Sequence, residues 1–212
     1  MLFASPLYVI CDADACQREG WTLIDFASAC LDGGARLLQV RAKSETSSRL
    51  LDETIAIVGR ASPSAQVIVN DRADVARLAG AAGVHVGQED LSPAEVRTIV
   101  GGQAVVGRST HTDAQLEAAF EEPISYVAIG PVFATGTKST GYDALGLTPV
   151  RRAAEHAIQR GLPLVAIGGI TLDSAEAVLE QGAAAVAVIG DLLVTKDPAA
   201  RVRAYLHRLS RL

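Results

Sequence analysis

Asp71 and Asp90 are the residues whose type and placement point most directly to chemistry. Asp71 lies in Asn70-Asp71-Arg72-Ala73-Asp74, straight after the apolar run Val67-Ile68-Val69. Asp90 closes Gly87-Gln88-Glu89-Asp90, which follows Val84-His85-Val86. Short apolar runs of this kind read as strands buried on both faces. In a parallel sheet or barrel the ends of successive strands share one face, so the two carboxylates would meet there. Hard oxygen ligands in that place suit Mg²⁺, which is usually held by one or two carboxylates plus substrate phosphates. The chemistry implied is work on a phosphorylated or diphosphorylated substrate. A strand-end aspartate also commonly caps the helix that follows, and the sequence leaves both readings open.

The rest of the chain must supply the scaffold. Strand-like runs are predicted at residues 7–11, 37–41, 67–70, 83–87, 104–107, 126–130, 164–168 and 184–189, each followed by a segment with helical spacing. Helix starts are marked by Ser92-Pro93-Ala94-Glu95, a capping-box arrangement with Pro at the first helical position. Thr112-Asp113-Ala114-Gln115 and Thr171-Leu172-Asp173-Ser174 are polar openings of the same kind. Eight β/α units in 212 residues predict an α/β fold, a single (β/α)8 TIM barrel spanning residues 1–212. The alternative is a doubly wound open sheet, which the absence of a GxGxxG fingerprint after the first strand disfavours.

Composition narrows the function classes. Apolar residues make up 49% of the chain, and 19 Lys+Arg against 24 Asp+Glu give a net charge of −5. No basic run suggests a nucleic-acid surface, so an anionic substrate would have to meet local cations. Cys11, Cys16 and Cys30 form no CxxC pair and read as reduced thiols in a cytoplasmic protein. Residues 1–6 do not resemble a signal peptide, and no apolar run is long enough to cross a membrane. The oligomeric state is not legible.

A barrel carries its active site at the C-terminal ends of its strands. There the sequence offers Gln39-Val40-Arg41-Ala42-Lys43, Asn70-Asp71-Arg72, Arg108-Ser109-Thr110-His111, Thr135-Gly136-Thr137-Lys138, Gly168-Gly169 and Ile189-Gly190. Arg41, Lys43 and Lys138 can converge on oxyanions. Asn70, Ser109, Thr135 and Thr137 can add neutral hydrogen bonds. Gly168-Gly169 and Gly190 resemble the phosphate cradle that barrels often build after strands 7 and 8. Plainer readings stand beside these. Lys138 could be a solvated loop lysine, Gly168-Gly169 a tight turn, His85 an interior histidine with its partners satisfied, and His111 a helix cap. His156 and His207 read as surface residues. No Ser/His/Asp arrangement or GxSxG elbow is present. Two anion sites on one face suit a reaction that joins two phosphorylated molecules.

Taken in register, these segments resemble the thiamine phosphate synthase family over nearly the whole chain. The resemblance rests on Gln39–Lys43, Asn70-Asp71-Arg72-Ala73-Asp74, Gly83–Leu91, Gly107–His111, Gly130-Pro131-Val132-Phe133 with Thr135–Lys138, and Ala166–Ile170. It implies an enzyme that joins hydroxymethylpyrimidine diphosphate to hydroxyethylthiazole phosphate, releasing pyrophosphate and yielding thiamine monophosphate. It implies Mg²⁺ on Asp71 and Asp90. It assigns the pyrimidine diphosphate to Gln39, Val40, Arg41, Ala42, Lys43, Asn70, Ser109 and Lys138. The thiazole phosphate falls to Thr135, Gly136, Thr137, Gly169, Ile189 and Gly190. Arg41, Lys43, Ser109 and Lys138 would carry the catalysis, which in this family is a dissociative substitution that needs no nucleophile. The Phe133–Gly141 loop would act as a lid. Three positions depart from the family: Ala42 stands where Glu is common, Ala134 where Pro is, and Gly190 where Ser is. The alternatives are a thiazole tautomerase-like isomerase of the same fold, acting on the thiazole phosphate alone, and a non-catalytic phosphate-binding barrel.

Overall fold

The computed structural model of the protein describes residues 5–135 and 141–210. Its elements are, in order, β1 (Leu7–Asp12), α1 (Ala13–Arg18), α2 (Leu23–Asp32), β2 (Leu37–Arg41), α3 (Ser47–Arg60), β3 (Gln66–Asn70) and α4 (Ala73–Ala79). They continue with β4 (Gly83–Val86), α5 (Pro93–Val100), β5 (Val105–Thr110), α6 (Asp113–Phe120), β6 (Tyr126–Ile129) and α7 (Leu147–Gln159). The last are β7 (Leu164–Ile167), α8 (Ala175–Leu179), β8 (Ala185–Val188), a 3₁₀ turn at Gly190–Leu192 and α9 (Pro198–Leu209).

The strands pair in parallel and in sequence order, and β8 pairs with β1 to close the barrel. The sequence-based expectation of a (β/α)8 barrel therefore holds. Alternation along each strand divides the apolar residues into two cores. Leu7, Val9, Leu38, Val40, Val67 and Val69 face outward and pack with the helices. Tyr8, Ile10, Leu37, Ile68, Val105 and Tyr126 fill the lumen. Both strand faces are covered, which is why the strands read as continuous apolar runs rather than alternating ones.

The helix starts follow the polar signals. Ser92 and Glu95 form a full capping box with Pro93 at the first position, and Thr112 accepts a hydrogen bond from the Gln115 N–H. The Thr171–Ser174 segment differs. It closes a turn in which the Thr171 N–H donates to Ser174 Oγ at 3.0 Å, and the helix opens only at Ala175.

The fifth strand is longer than its apolar run, and this matters for the site. Residues 104–107 were expected to form the fifth strand, but β5 runs on to Thr110. Arg108, Ser109 and Thr110 stay in register with Val127, Ala128 and Ile129. Their polar side chains hid this continuation. Parity then sends Arg108 outward, where its Nη1 donates to the Gly87 carbonyl at 2.6 Å. Ser109 turns into the lumen.

Candidate active site

The tight turn after β3 presents Asp71. The Arg72 N–H donates to the Asn70 carbonyl at 2.7 Å, and the Asp71 N–H donates to the His85 carbonyl at 2.8 Å. Asp71 sits at φ 62. A non-glycine residue in this left-handed region is uncommon and mildly costly, and such strain concentrates at functional sites. Its carboxylate receives Lys43 Nζ at 2.9 Å. The second carboxylate, Asp90, accepts from the Gly87 N–H at 2.7 Å and lines the same cleft as Asp71.

Neither aspartate is a helix cap. The N-cap of α4 is Arg72, with no side-chain cap bond, and that of α5 is Ser92. Instead the two carboxyls meet through a hydrogen bond. Burial raises Asp71 above its ordinary value; Lys43 opposes the rise and Asp90 adds to it. Burial also works to raise Asp90. There the hydrogen bond with Asp71, the Gly87 N–H and the cations Lys43 and Arg108 outweigh it, and the net shift is downward. Two acidic groups brought this close, with Asp71 raised by burial and by its neighbour, are a donor set that a hard cation would relieve. Among the described residues no group of three or more His, Cys, Asp or Glu side chains could hold a metal. Two carboxylates fit a Mg²⁺ ion whose remaining ligands are water or substrate oxygens.

The smaller of two adjoining clefts, about 80 Å³, is lined by Gln39, Arg41, Lys43, Asn70, Asp71 and Asp90, together with Tyr8, His85 and Ser109. Arg41 is ion-paired with Asp12, a buried residue at the end of β1 that the sequence reading did not single out. Asp12 also accepts from the Ala15 N–H at 2.9 Å, so one carboxylate both caps α1 and fixes the guanidinium at the cleft. Extending β1 by one residue in the reading would have exposed Asp12 as the neighbour of Arg41.

The side chains of two expected contact residues point away from the clefts. Val40 and Ala42 belong to the outer core and line neither cleft. Parity explains this. In β2, Gln39 and Arg41 face the lumen and the residues between and after them face the helices.

The larger cleft, about 330 Å³, lies over β7 and β8. Ser109, Thr135, Gly169, Ile189 and Gly190 all line it. Gly168 and Gly169 adopt φ 104 and φ 64. A Cβ on Gly168 would lie 2.5 Å from Pro131 Cα, and one on Gly169 would lie 2.5 Å from the Ala134 carbonyl. The positions require glycine on both counts. Among the described residues the Gly169 and Ile170 N–H groups donate to no protein acceptor. Gly190 opens the 3₁₀ turn beside them. Asp191 ties this rim down. Its carboxylate accepts from the Leu172 N–H at 3.1 Å, Arg201 Nη2 at 2.9 Å and the Tyr205 hydroxyl at 2.6 Å.

Ser109, Ile167, Ala187 and Ile189 line both clefts. Gly136, Thr137 and Lys138 lie outside the described residues, as does most of the expected lid. His85 is the satisfied interior histidine that was expected. His111 is not the cap; Thr112 is. His111 Nδ1 is 2.6 Å from the Gly130 carbonyl, and its ring stacks on Tyr142 at the edge of the larger cleft.

Residues 7–192 match the family model described as thiamine monophosphate synthase. The chain is 42% identical to a thiamine-phosphate synthase of Koribacter versatilis over 205 residues, covering 96% of this chain and 95% of the relative. It is 40% identical to one from Thermus thermophilus over 198 residues, covering 91% of this chain and 93% of the relative. Among solved structures, a thiamine phosphate pyrophosphorylase from Pyrococcus furiosus superposes with a TM-score of 0.86 at 27% identity, covering 97% of this chain and 95% of the other.

Proposed function

The chain belongs to the thiamine monophosphate synthase family, and we propose that this enzyme joins hydroxymethylpyrimidine diphosphate to hydroxyethylthiazole phosphate in a dissociative substitution, releasing pyrophosphate. The observation that carries the reading is the wall shared by the two clefts. Ligands seated in both would meet across Ser109, Ile167, Ala187 and Ile189.

The smaller cleft suits the diphosphate. Departure of pyrophosphate from the pyrimidine methylene leaves a cation that the aminopyrimidine delocalises. The protein's task is to stabilise charge on the leaving group. Arg41 offers N–H groups beyond the one given to Asp12, and Lys43 stands at the rim beside Asp71. Ser109 and Asn70 add neutral hydrogen bonds. Lys138 is assigned to the same leaving group from its place in the sequence. Asp71 and Asp90 would hold Mg²⁺, which when bound neutralises diphosphate charge as a Lewis acid.

The larger cleft suits the thiazole phosphate. The Gly169 and Ile170 N–H groups and the turn at Gly190 supply main-chain donors for the phosphate. Thr135 lines that cleft, and Gly136 and Thr137 are assigned to the same phosphate from their place in the sequence. The apolar shared wall keeps water from the cation while the thiazole nitrogen attacks. No side chain has to serve as a nucleophile.

The partners are therefore two small molecules. Among the described residues no helix is long and apolar enough to cross a membrane. Three buried free thiols, Cys11, Cys16 and Cys30, fit a reducing compartment such as the cytoplasm. The test is to supply both substrates, with and without Mg²⁺, and to measure pyrophosphate and thiamine monophosphate. Stoichiometric formation of both, lost on chelation, is expected. Absence of product under every condition overturns the reaction, and undiminished product after thorough chelation overturns the metal assignment.

A further inference from the structure

Beneath the smaller cleft a chain of hydrogen bonds crosses the barrel lumen. Gln39 Nε2 donates to the Tyr8 hydroxyl at 3.0 Å, and the Tyr8 and Tyr126 hydroxyls are 3.0 Å apart. The Tyr126 hydroxyl lies 2.8 Å from His85 Nδ1, and His85 Nε2 lies 2.7 Å from Ser109 Oγ. Five side chains on β2, β1, β6, β4 and β5 are thus linked end to end. The two ends, Gln39 and Ser109, line the cleft, and Tyr8 and His85 contribute to its lining as well. The middle is buried: Tyr8 is 1% exposed and Tyr126 0%. The fold makes room for it. A Cβ on Gly107 would come within 2.1 Å of the Tyr126 ring, so glycine at that lumen position is what admits the phenol. The His85 and Tyr126 rings stack at 5.5 Å, which fixes the imidazole plane.

The chain has a direction. An amide –NH₂ only donates, so the Tyr8 oxygen accepts from Gln39. Burial holds both phenols protonated, with values raised above the ordinary tyrosine range. Each hydroxyl then has one proton to pass on. If every link uses one donor and one acceptor, Tyr8 donates to Tyr126 and Tyr126 donates to His85 Nδ1. A neutral imidazole that accepts at Nδ1 carries its proton on Nε2 and donates it to Ser109 Oγ. The serine's own proton is thereby left for the cleft.

We propose that Tyr8, Tyr126 and His85 are positioning residues, forming a one-way hydrogen-bond chain that holds Ser109 as a donor to an anionic group in the cleft. On the functional reading above, on which this rests, that group is the departing diphosphate. Reversal of the chain would turn the Ser109 hydroxyl inward to His85 and leave a lone pair facing the anion.

The test pairs a readout independent of activity with a kinetic one. NMR of the imidazole nitrogens in the full-length protein, with His85 assigned through His85→Gln, reports the tautomer directly. Proton on Nε2 and none on Nδ1 is expected in the wild type. Tyr126→Phe, which keeps the volume but removes the donor to Nδ1, should shift His85 toward the other tautomer. A proton on Nδ1 in the wild type overturns the proposal. In turnover, Tyr126→Phe should lower kcat about tenfold, the worth of one oriented hydrogen bond, and leave the KM for the thiazole phosphate unchanged. In a Ser109→Ala background the same substitution should change kcat by less than about twofold, because the group it positions is gone. An equal loss in both backgrounds would mark Tyr126 as merely structural and overturn the proposal. Tyr8→Phe, cutting the chain at another link, repeats the test should Tyr126→Phe fold poorly. If the protein formed no thiamine monophosphate at all, the reaction would be refuted while the tautomer remained readable.

Discussion

Arg41, Lys43, Asp71 and Asp90 line the smaller cleft, whereas the larger one is built on Gly168, Gly169 and Gly190 and, among the described residues, has no lysine or arginine in its wall. The first is a site of side-chain charges held in fixed pairs: Arg41 with Asp12, Lys43 with Asp71, Asp71 with Asp90. The second is a site of main-chain donors shaped by glycine dihedrals. Its one lining carboxylate, Asp191, is turned to Arg201 and Tyr205. Each site is therefore vulnerable in its own way. Loss of a charge should cripple the first, and gain of a Cβ should cripple the second.

Substitutions can break that contrast. The largest effect is expected from Asp90→Ala. It should cut turnover by about two to three orders of magnitude, as loss of one transition-state electrostatic partner does, with an unchanged far-ultraviolet spectrum. Normal specific activity in the folded fraction with marked loss of stability would make Asp90 a structural residue. Next is Gly169→Ala. Its Cβ would clash with the Ala134 carbonyl in a left-handed conformation, so the KM for the thiazole phosphate should rise at least about tenfold, matching roughly 1.4 kcal/mol of lost binding, with the KM for the diphosphate little changed. Steady-state kinetics with each substrate varied in turn checks this.

A smaller gain is expected from Gly190→Ser. If main-chain donors leave one phosphate oxygen short of a partner, the new hydroxyl should lower the KM for the thiazole phosphate by a few-fold, the worth of a single net hydrogen bond. An unchanged or higher value would mean that the main chain already saturates the phosphate. Val40→Ala should leave both KM values and kcat unaltered. It should lower stability by about 2 kcal/mol, because the side chain packs outward in the helix-facing core. Thermal unfolding measured alongside kinetics separates the two.

The eight strands and the two carboxylates were legible because each carboxylate lies within four residues of the end of an apolar run and glycines punctuate the ends. The outer and inner faces of those runs were not legible, because strands covered on both sides lose their alternation. Tyr8 and Tyr126 therefore looked like ordinary core, and Val40 and Ala42 looked like ligand contacts. Parity counted from Gln39 and Arg41 would have separated them. The end of β5 was missed because Arg108-Ser109-Thr110 reads as a polar loop, although it keeps its ladder with β6. Asp12, which pairs with Arg41, and Asp191, which pairs with Arg201 and Tyr205, are single acids whose side-chain partners lie on other elements, and no local pattern announces them.

The division of labour between the clefts can be measured most directly by calorimetric titration of pyrophosphate plus Mg²⁺, and separately of the thiazole phosphate, into wild type, Asp90→Ala and Gly169→Ala. Asp90→Ala should lose Mg²⁺-dependent pyrophosphate binding and keep the thiazole phosphate, while Gly169→Ala should do the reverse. Loss of the same ligand from both variants would contradict that division of labour.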